Sequence, residues 1–314
     1  MKTDLFNIQD ERITLYLTEN GFENSFSLLK KTYYKIARPV MPLSIRHKLQ
    51  DRASRRVVCK ENFIWDELAK IVREIKTDWN IYPDNAKAAV VLTHDVDTQE
   101  GFDNIPKVLM LEEEHGFKSS WNIVPYKYRI DQGIIDLIKG AGHEIGIHGY
   151  NHDGKLFYSE KIFDERVPFI NEAIEKYGAS GFRAPMVHRN LKWLQKLNIK
   201  YDASCFDYDP YQPFPGGTGS IWPFKAGKFI ELPYTLPQDH DLFYMMKKND
   251  IGIWKKKTDW LIENNGMIML ITHPDYLTEI YSKYYTEFLN YLKTKDNLWF
   301  VLPKDMANYW NELF

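Results

Sequence analysis

Asp95 and Asp97 close a short apolar run, residues 86–93, that reads as a buried strand ending in Thr93-His94-Asp95-Val96-Asp97. Side chains alternate along an extended strand, so the two carboxylates fall on one side. Carboxylates held together repel unless a cation or an arginine is shared between them, so the pair asks for a metal, a counter-charge or both. Taken alone, Asp-x-Asp is also common at strand-end turns for hydrogen-bonding reasons. His148-Gly149-Tyr150-Asn151-His152 follows a second such strand. If one helical turn begins near His148, its two imidazoles reach a single ion as i, i+4 neighbours. Two imidazole nitrogens, one carboxylate and an open position make a catalytic site for zinc or a similar divalent metal. The alternative is a pair of hydrogen-bonded structural histidines. His143 stands at the beginning of the same strand and so away from its reactive end.

Two further residues fit this chemistry. Arg183, in Phe182-Arg183-Ala184-Pro185-Met186, would fix the rotamer of Asp95 by pairing with it and keep it ionised, as a base requires. Without that pairing it is a surface arginine beside a turn. His273 follows the most apolar strand of the chain, residues 267–271, and precedes Pro274. A histidine there can protonate a leaving amine at neutral pH, or serve structure alone.

These residues lie between positions 95 and 273 and need a scaffold that gathers them. Strands are predicted at 86–93, 119–124, 143–148, 181–185, 200–202, 229–232, 266–271 and 298–301. Helices are predicted at 105–115, 130–139, 163–176, 191–197, 255–264 and 276–293. The alternation gives an α/β fold with about seven parallel strands and helices outside. A barrel accounts for the reactive types at strand ends, because its C-terminal rim brings such ends together. Residues 207–240 are rich in proline and glycine and read as a long irregular connection. Residues 1–80 form a mostly helical N-terminal extension on a catalytic barrel of 81–314. Within the extension a helix over 24–35 is interrupted by Pro39 and Pro42, and 64–75 is helical in pattern. The stretch 30–60 is strongly basic. It reads mainly as a solvated extension packed on the barrel, with peripheral contact to an anionic membrane or a partner as the other reading.

Composition removes several classes. With 41 basic and 43 acidic side chains there is no global field to hold a nucleic acid. Cys59 and Cys205 form no CxxC pair, which argues against a disulfide scaffold and for a reducing, cytoplasmic setting. Neither a signal-type apolar stretch nor an apolar window long enough to span a membrane is found. Aromatic residues make up 15% of the chain, which suits a sugar cleft or simply a large core. A glycosyltransferase using Asp95 and Asp97 on Mn²⁺ would leave His148, His152 and Arg183 without a shared role.

In order, Thr93-His94-Asp95-Val96-Asp97, the run Gly142 to His152, Arg183-Ala184-Pro185 and Leu270-Ile271-Thr272-His273 resemble successive motifs of the polysaccharide deacetylase family, the NodB homology domain of carbohydrate esterase 4 type. The resemblance runs over positions 85–303. It implies a distorted (β/α) barrel with Asp95 as general base, Asp97, His148 and His152 as metal ligands, Arg183 orienting the base and His273 as general acid. The implied cofactor is a divalent metal, zinc first, with Co, Ni or Mn as alternatives. The implied reaction removes an N-acetyl group from an amino sugar of a polysaccharide, surface glycan or glycan precursor. Related branches cleave other non-peptide C–N bonds, and a metal-holding carbohydrate-binding protein without turnover is the other alternative. The pattern departs from the family in three places. Val96 separates two aspartates that are adjacent in many members. Met186 stands where tyrosine is frequent, leaving only its backbone N–H to hold an oxyanion. No clean aspartate-tryptophan motif is present, and the carboxylate that should orient His273 is left open among Asp202, Asp239 and Asp241.

Overall fold

The computed structural model describes residues 81–209, 211–212, 217–276 and 279–313, with scattered positions between 29 and 70. Most of the basic stretch, nearly all of the 64–75 helix and most of the 24–35 helix lie outside the described residues. Helical turns at Tyr33–Ala37 and Arg38–Val40 run on through Pro39 and end before Pro42. Arg38 donates to the Asp153 carbonyl at 3.0 Å, and Phe63 is buried in the main core.

Alternating strands and helices then follow: β1 (Ala88–Val96), α1 (Gln99–His115), β2 (Ser120–Ile123), α2 (Gln132–Gly140), β3 (Glu144–Ile147), α3 (Glu160–Tyr177), β4 (Gly181–Phe182), α4 (Leu191–Leu194) and β5 (Tyr201–Asp202). A hairpin of β6 (Phe224–Ala226) and β7 (Phe229–Glu231) comes next. The chain ends with α5 (Gly252–Glu263), β8 (Met267–Thr272), α6 (Glu279–Lys293), β9 (Leu298–Phe300) and α7 (Pro303–Asn311). Local chemistry sets the helix limits. The Thr98 side chain accepts from the Gly101 N–H, so α1 begins at Gln99, earlier than periodicity alone indicates. Gly116 and Gly178 end α1 and α3 in the left-handed conformation that glycine adopts without cost.

The strands form one sheet in the order β6-β7-β5-β4-β3-β2-β1-β8, with β9 beside the first residues of β1. Pairing is parallel except between β6 and β7. Every residue of β1 is buried, because β8 lies along one edge while β2 and β9 share the other. This explains its unbroken apolar run from Ala88 to Leu92. The nine strands among the described residues exceed the expected number of about seven, and β6 falls inside the proline- and glycine-rich connection.

The sheet curls into a partly open half-barrel. No strand ladder joins β7 to β8, but the chain leaving β7 closes part of that gap. Thr235 Oγ1 donates to the Met267 carbonyl at 2.7 Å, and the Thr235 and Leu236 N–H groups donate to the Met269 carbonyl at 3.2 and 3.1 Å. The architecture is the distorted (β/α) barrel expected from the sequence. Among the described residues no helix is long and apolar enough to cross a membrane.

Candidate metal centre

The C-terminal ends of the parallel strands converge on one rim. Asp95 is the penultimate residue of β1, Asp97 and His148 directly follow β1 and β3, Arg183 follows β4, and His273 follows β8. Asp97 Oδ1 lies 3.0 Å from His152 Nε2 and 3.3 Å from His148 Nε2. His148 Nδ1 donates to the Arg183 carbonyl at 3.0 Å, since a carbonyl can only accept, and its Nε2 is the nitrogen left facing Asp97. Burial pushes His152 below the ordinary histidine range, although Asp97 opposes this. The buried Asp97 Oδ1 has no hydrogen-bond donor among the described residues. A carboxylate oxygen and two imidazole nitrogens that face one another suit a shared cation, and Asp97, His148 and His152 form a cluster able to hold a metal.

The two imidazoles meet by a route other than the expected helical turn. Residues 149–154 form an irregular loop in which Gly149, His152 and Gly154 have φ of 71°, 57° and 78°. A Cβ on Gly149 would sit 2.4 Å from Pro185 Cγ, so the chain can pass this point only as glycine. His152 adopts the left-handed region without that excuse, a strain typical of residues held for function.

Asp95 sits differently. Its Oδ1 accepts from Arg183 Nη1 and from Asn122 Nδ2, each at 2.9 Å, and its Oδ2 is 3.9 Å from His148 Nε2. Burial alone would raise its pKa, but Arg183, His148, His273 and the Asn122 hydrogen bond bring it below the usual carboxylate value. Arg183, itself fully buried, also donates to Thr93 Oγ1 at 2.9 Å and to the Ala203 carbonyl at 2.8 Å. The guanidinium is thereby locked across the barrel interior.

Of the three carboxylates left open, Asp239 is the one on His273. Its Oδ1 accepts from His273 Nδ1 at 2.6 Å, and its Oδ2 accepts from the His273 N–H at 2.7 Å. Burial disfavours the imidazolium, but Asp239, with Asp97 and Asp95 behind it, pushes the pKa up to about 10. The structure takes Asp202 and Asp241 elsewhere. Asp202 accepts from Ser204 Oγ at 2.7 Å and faces Glu231 across the β5–β7 pair. Asp241 accepts from Gln212, which bridges it to Asp209. Met186 has φ of 58° in a tight turn after Arg183, and its neighbour Val187 is left-handed too at 44°.

In fold, the chain matches a protein from Mycobacterium smegmatis provisionally assigned as a polysaccharide deacetylase, with a TM-score of 0.58, 19% identity, and 76% of this chain against 93% of that one covered. A protein from Pseudomonas aeruginosa PAO1 with the same kind of assignment also gives a TM-score of 0.58, at 15% identity over 75% of this chain and 95% of that one. The fold is that of the polysaccharide deacetylases. It is shared by the PuuE allantoinase, with a TM-score of 0.58 and 14% identity over 77% of this chain and 96% of that one. In sequence, the peptidoglycan deacetylase of Helicobacter pylori is 20% identical over 217 residues, 67% of this chain. The match spans only 64% of that relative's length. No family model matches the sequence.

On this polysaccharide deacetylase fold the residues that sequence reading passed over are supports. Asn122 is an amide set between Trp121 and Ile123 in buried β2, and that contrast was the available signal. Asp275 left no signal. Its Oδ2 accepts the Asp97 N–H at 3.1 Å and its Oδ1 accepts from Thr98 Oγ1, tying the β8 rim to the metal-side carboxylate.

Proposed function

We propose that the chain is a metal-dependent deacetylase that removes an N-acetyl group from an amino sugar of a polysaccharide, surface glycan or glycan precursor. What carries this reading is the pairing of an ionised, doubly braced Asp95 with a protonated His273 beside one Asp–His–His cluster. Two imidazoles and one carboxylate suit zinc, with Co, Ni or Mn as alternatives. Asp97, His148 and His152 would hold a divalent ion, which would supply Lewis-acid polarisation and a more acidic water. Asp95 accepts a proton from water as the water oxygen attacks the acetamide carbon. Arg183 and Asn122 keep that carboxylate charged and fixed in rotamer. His273, positioned by Asp239, gives its proton to the sugar nitrogen as the C–N bond breaks, leaving acetate and a free amine. Met186, in the turn that follows Arg183, offers only its backbone N–H to the oxyanion, without a phenol to assist it.

A second reading is hydrolysis of another non-peptide C–N bond, favoured by the shared fold with an allantoinase and by methionine at position 186. Acetate release from N-acetylated oligosaccharides, measured together with bound metal, tests the first. Asp95→Asn should retain metal and lose about 100- to 10,000-fold in turnover, whereas His152→Ala should lose both. Wild-type metal content and activity in both variants would remove the assignment.

We further place the enzyme in the cytoplasm, as a barrel of residues 81–314 with an extension of residues 1–80. Leu29, Ile36 and Val40 are exposed among the basic residues of that extension, which supports peripheral contact with an anionic membrane carrying lipid-linked sugars.

A further inference from the structure

The loop that carries His152 is held from outside by charged residues that the deacetylase chemistry does not use. Ser159 caps α3, and Arg166 stands about two turns along that helix, facing the loop. Asp153, directly after the ligand, meets Arg166 through two parallel hydrogen bonds, Nη1 to Oδ1 at 2.9 Å and Nη2 to Oδ2 at 2.7 Å. The same guanidinium lies over the Tyr150 ring, 5.0 Å from its centroid. One rigid fork therefore grips the loop on both sides of Asn151 and His152, by a cation–π contact at residue 150 and by an ion pair at residue 153. Asp153 Oδ1 also accepts the Lys155 N–H at 2.8 Å, closing the far end of the loop as a turn. From the N-terminal extension, Arg38 Nη1 donates to the Asp153 carbonyl at 3.0 Å.

His152 needs this hold more than its partner ligand does. The His148 ring is oriented by its own second hydrogen bond, Nδ1 to the Arg183 carbonyl. Among the described residues no such bond orients the His152 ring, so its direction comes from the backbone of the loop. That backbone has φ of 57°, a conformation that a residue with a Cβ leaves unless its surroundings fix it. We infer that Arg166, acting through Asp153 and joined by Arg38, is a positioning residue that presets His152 at 3.0 Å from Asp97 for the metal. The extension thereby becomes part of the support of the metal centre. This inference rests on the reading of Asp97, His148 and His152 as metal ligands.

Zinc titration of the metal-free full chain, with Kd read by competition against a chelating indicator, provides the test. Arg166→Met keeps a long stem beside Tyr150 and removes the fork, and it should weaken zinc binding about 10- to 100-fold. Arg166→Lys restores the charge without the fork and should recover only part of that loss. Asp153→Asn keeps an oxygen for the Lys155 N–H and should fall in the same range as Arg166→Met. Combining the two changes should cost little more than either alone, because the pair acts as one unit. Arg38→Ala should weaken zinc about two- to tenfold. Thermal unfolding of the metal-free variants separates positioning from plain stability. Wild-type zinc Kd in Arg166→Met and Asp153→Asn overturns the inference, whether or not Tm falls, and leaves the metal centre standing if His152→Ala abolishes binding. Zinc binding that survives His152→Ala, or that is missing from the unaltered protein, removes the metal-centre reading and the inference with it.

Discussion

Asp95 and Asp97 are two residues apart on one strand end, yet their surroundings give them different work. Asp97 faces two imidazoles, whereas Asp95 is held by a guanidinium and an amide. The third decisive carboxylate, Asp239, acts through His273. Because the folded-state pKa of His273 is raised to about 10, its proton is present at neutral pH and is lost only as pH rises through that value. Asp239→Asn removes the largest raising influence while leaving burial, which lowers the pKa. The alkaline limb of the rate–pH profile should therefore move down by more than about one pH unit, and a limb that stays in place would show that His273 is not the acid. Sequence could name Asp239 only as one of three candidates. Asp202 lies on β5, whereas Asp239 and Asp241 stand at the start of the short helical turn His240–Met245, which no periodicity in the sequence announces.

At the scale of elements, register does the positioning. Asp95 on β1 pairs with Asn122 on β2, and Asn122 pairs with Gly146 on β3, so one row across the sheet holds base, support and gap. A Cβ on Gly146 would lie 2.0 Å from Asn122 Oδ1. Gly146→Ala should therefore push Asn122 off Asp95 and cost about ten- to a hundredfold in kcat, the worth of a hydrogen bond to a charged group. Metal content should be unchanged, since no ligand lies in that row. Loss of metal along with activity would show that the damage reaches beyond Asn122. Short apolar runs made β1 and β8 legible, because both strands are buried along their whole length. They did not reveal the loop 149–154, whose left-handed residues bring His148 and His152 together where a helical turn was expected.

For the whole molecule, the metal cluster joins the ends of β1 and β3, so an ion bound there stabilises the folded chain alone. At a thousandfold excess over Kd that linkage is worth about 4 kcal/mol, or roughly 10 °C in Tm. Thermal unfolding with zinc and with chelator should show a rise of this order, and His152→Ala should abolish it. An equal shift in that variant would place the ion elsewhere. The amino-acid sequence by itself determined the alternation of strands and helices and the residue types at the ends of the strands. It could do so because burial periodicity and strand-end chemistry are local properties of the chain. Tertiary structure alone decided that Asp239 is the partner of His273, that Asp275 anchors Asp97, and that rings from two separate segments meet beside the acid. Those contacts join residues 32 to 178 positions apart and depend on how the sheet curls, a property that no local pattern encodes.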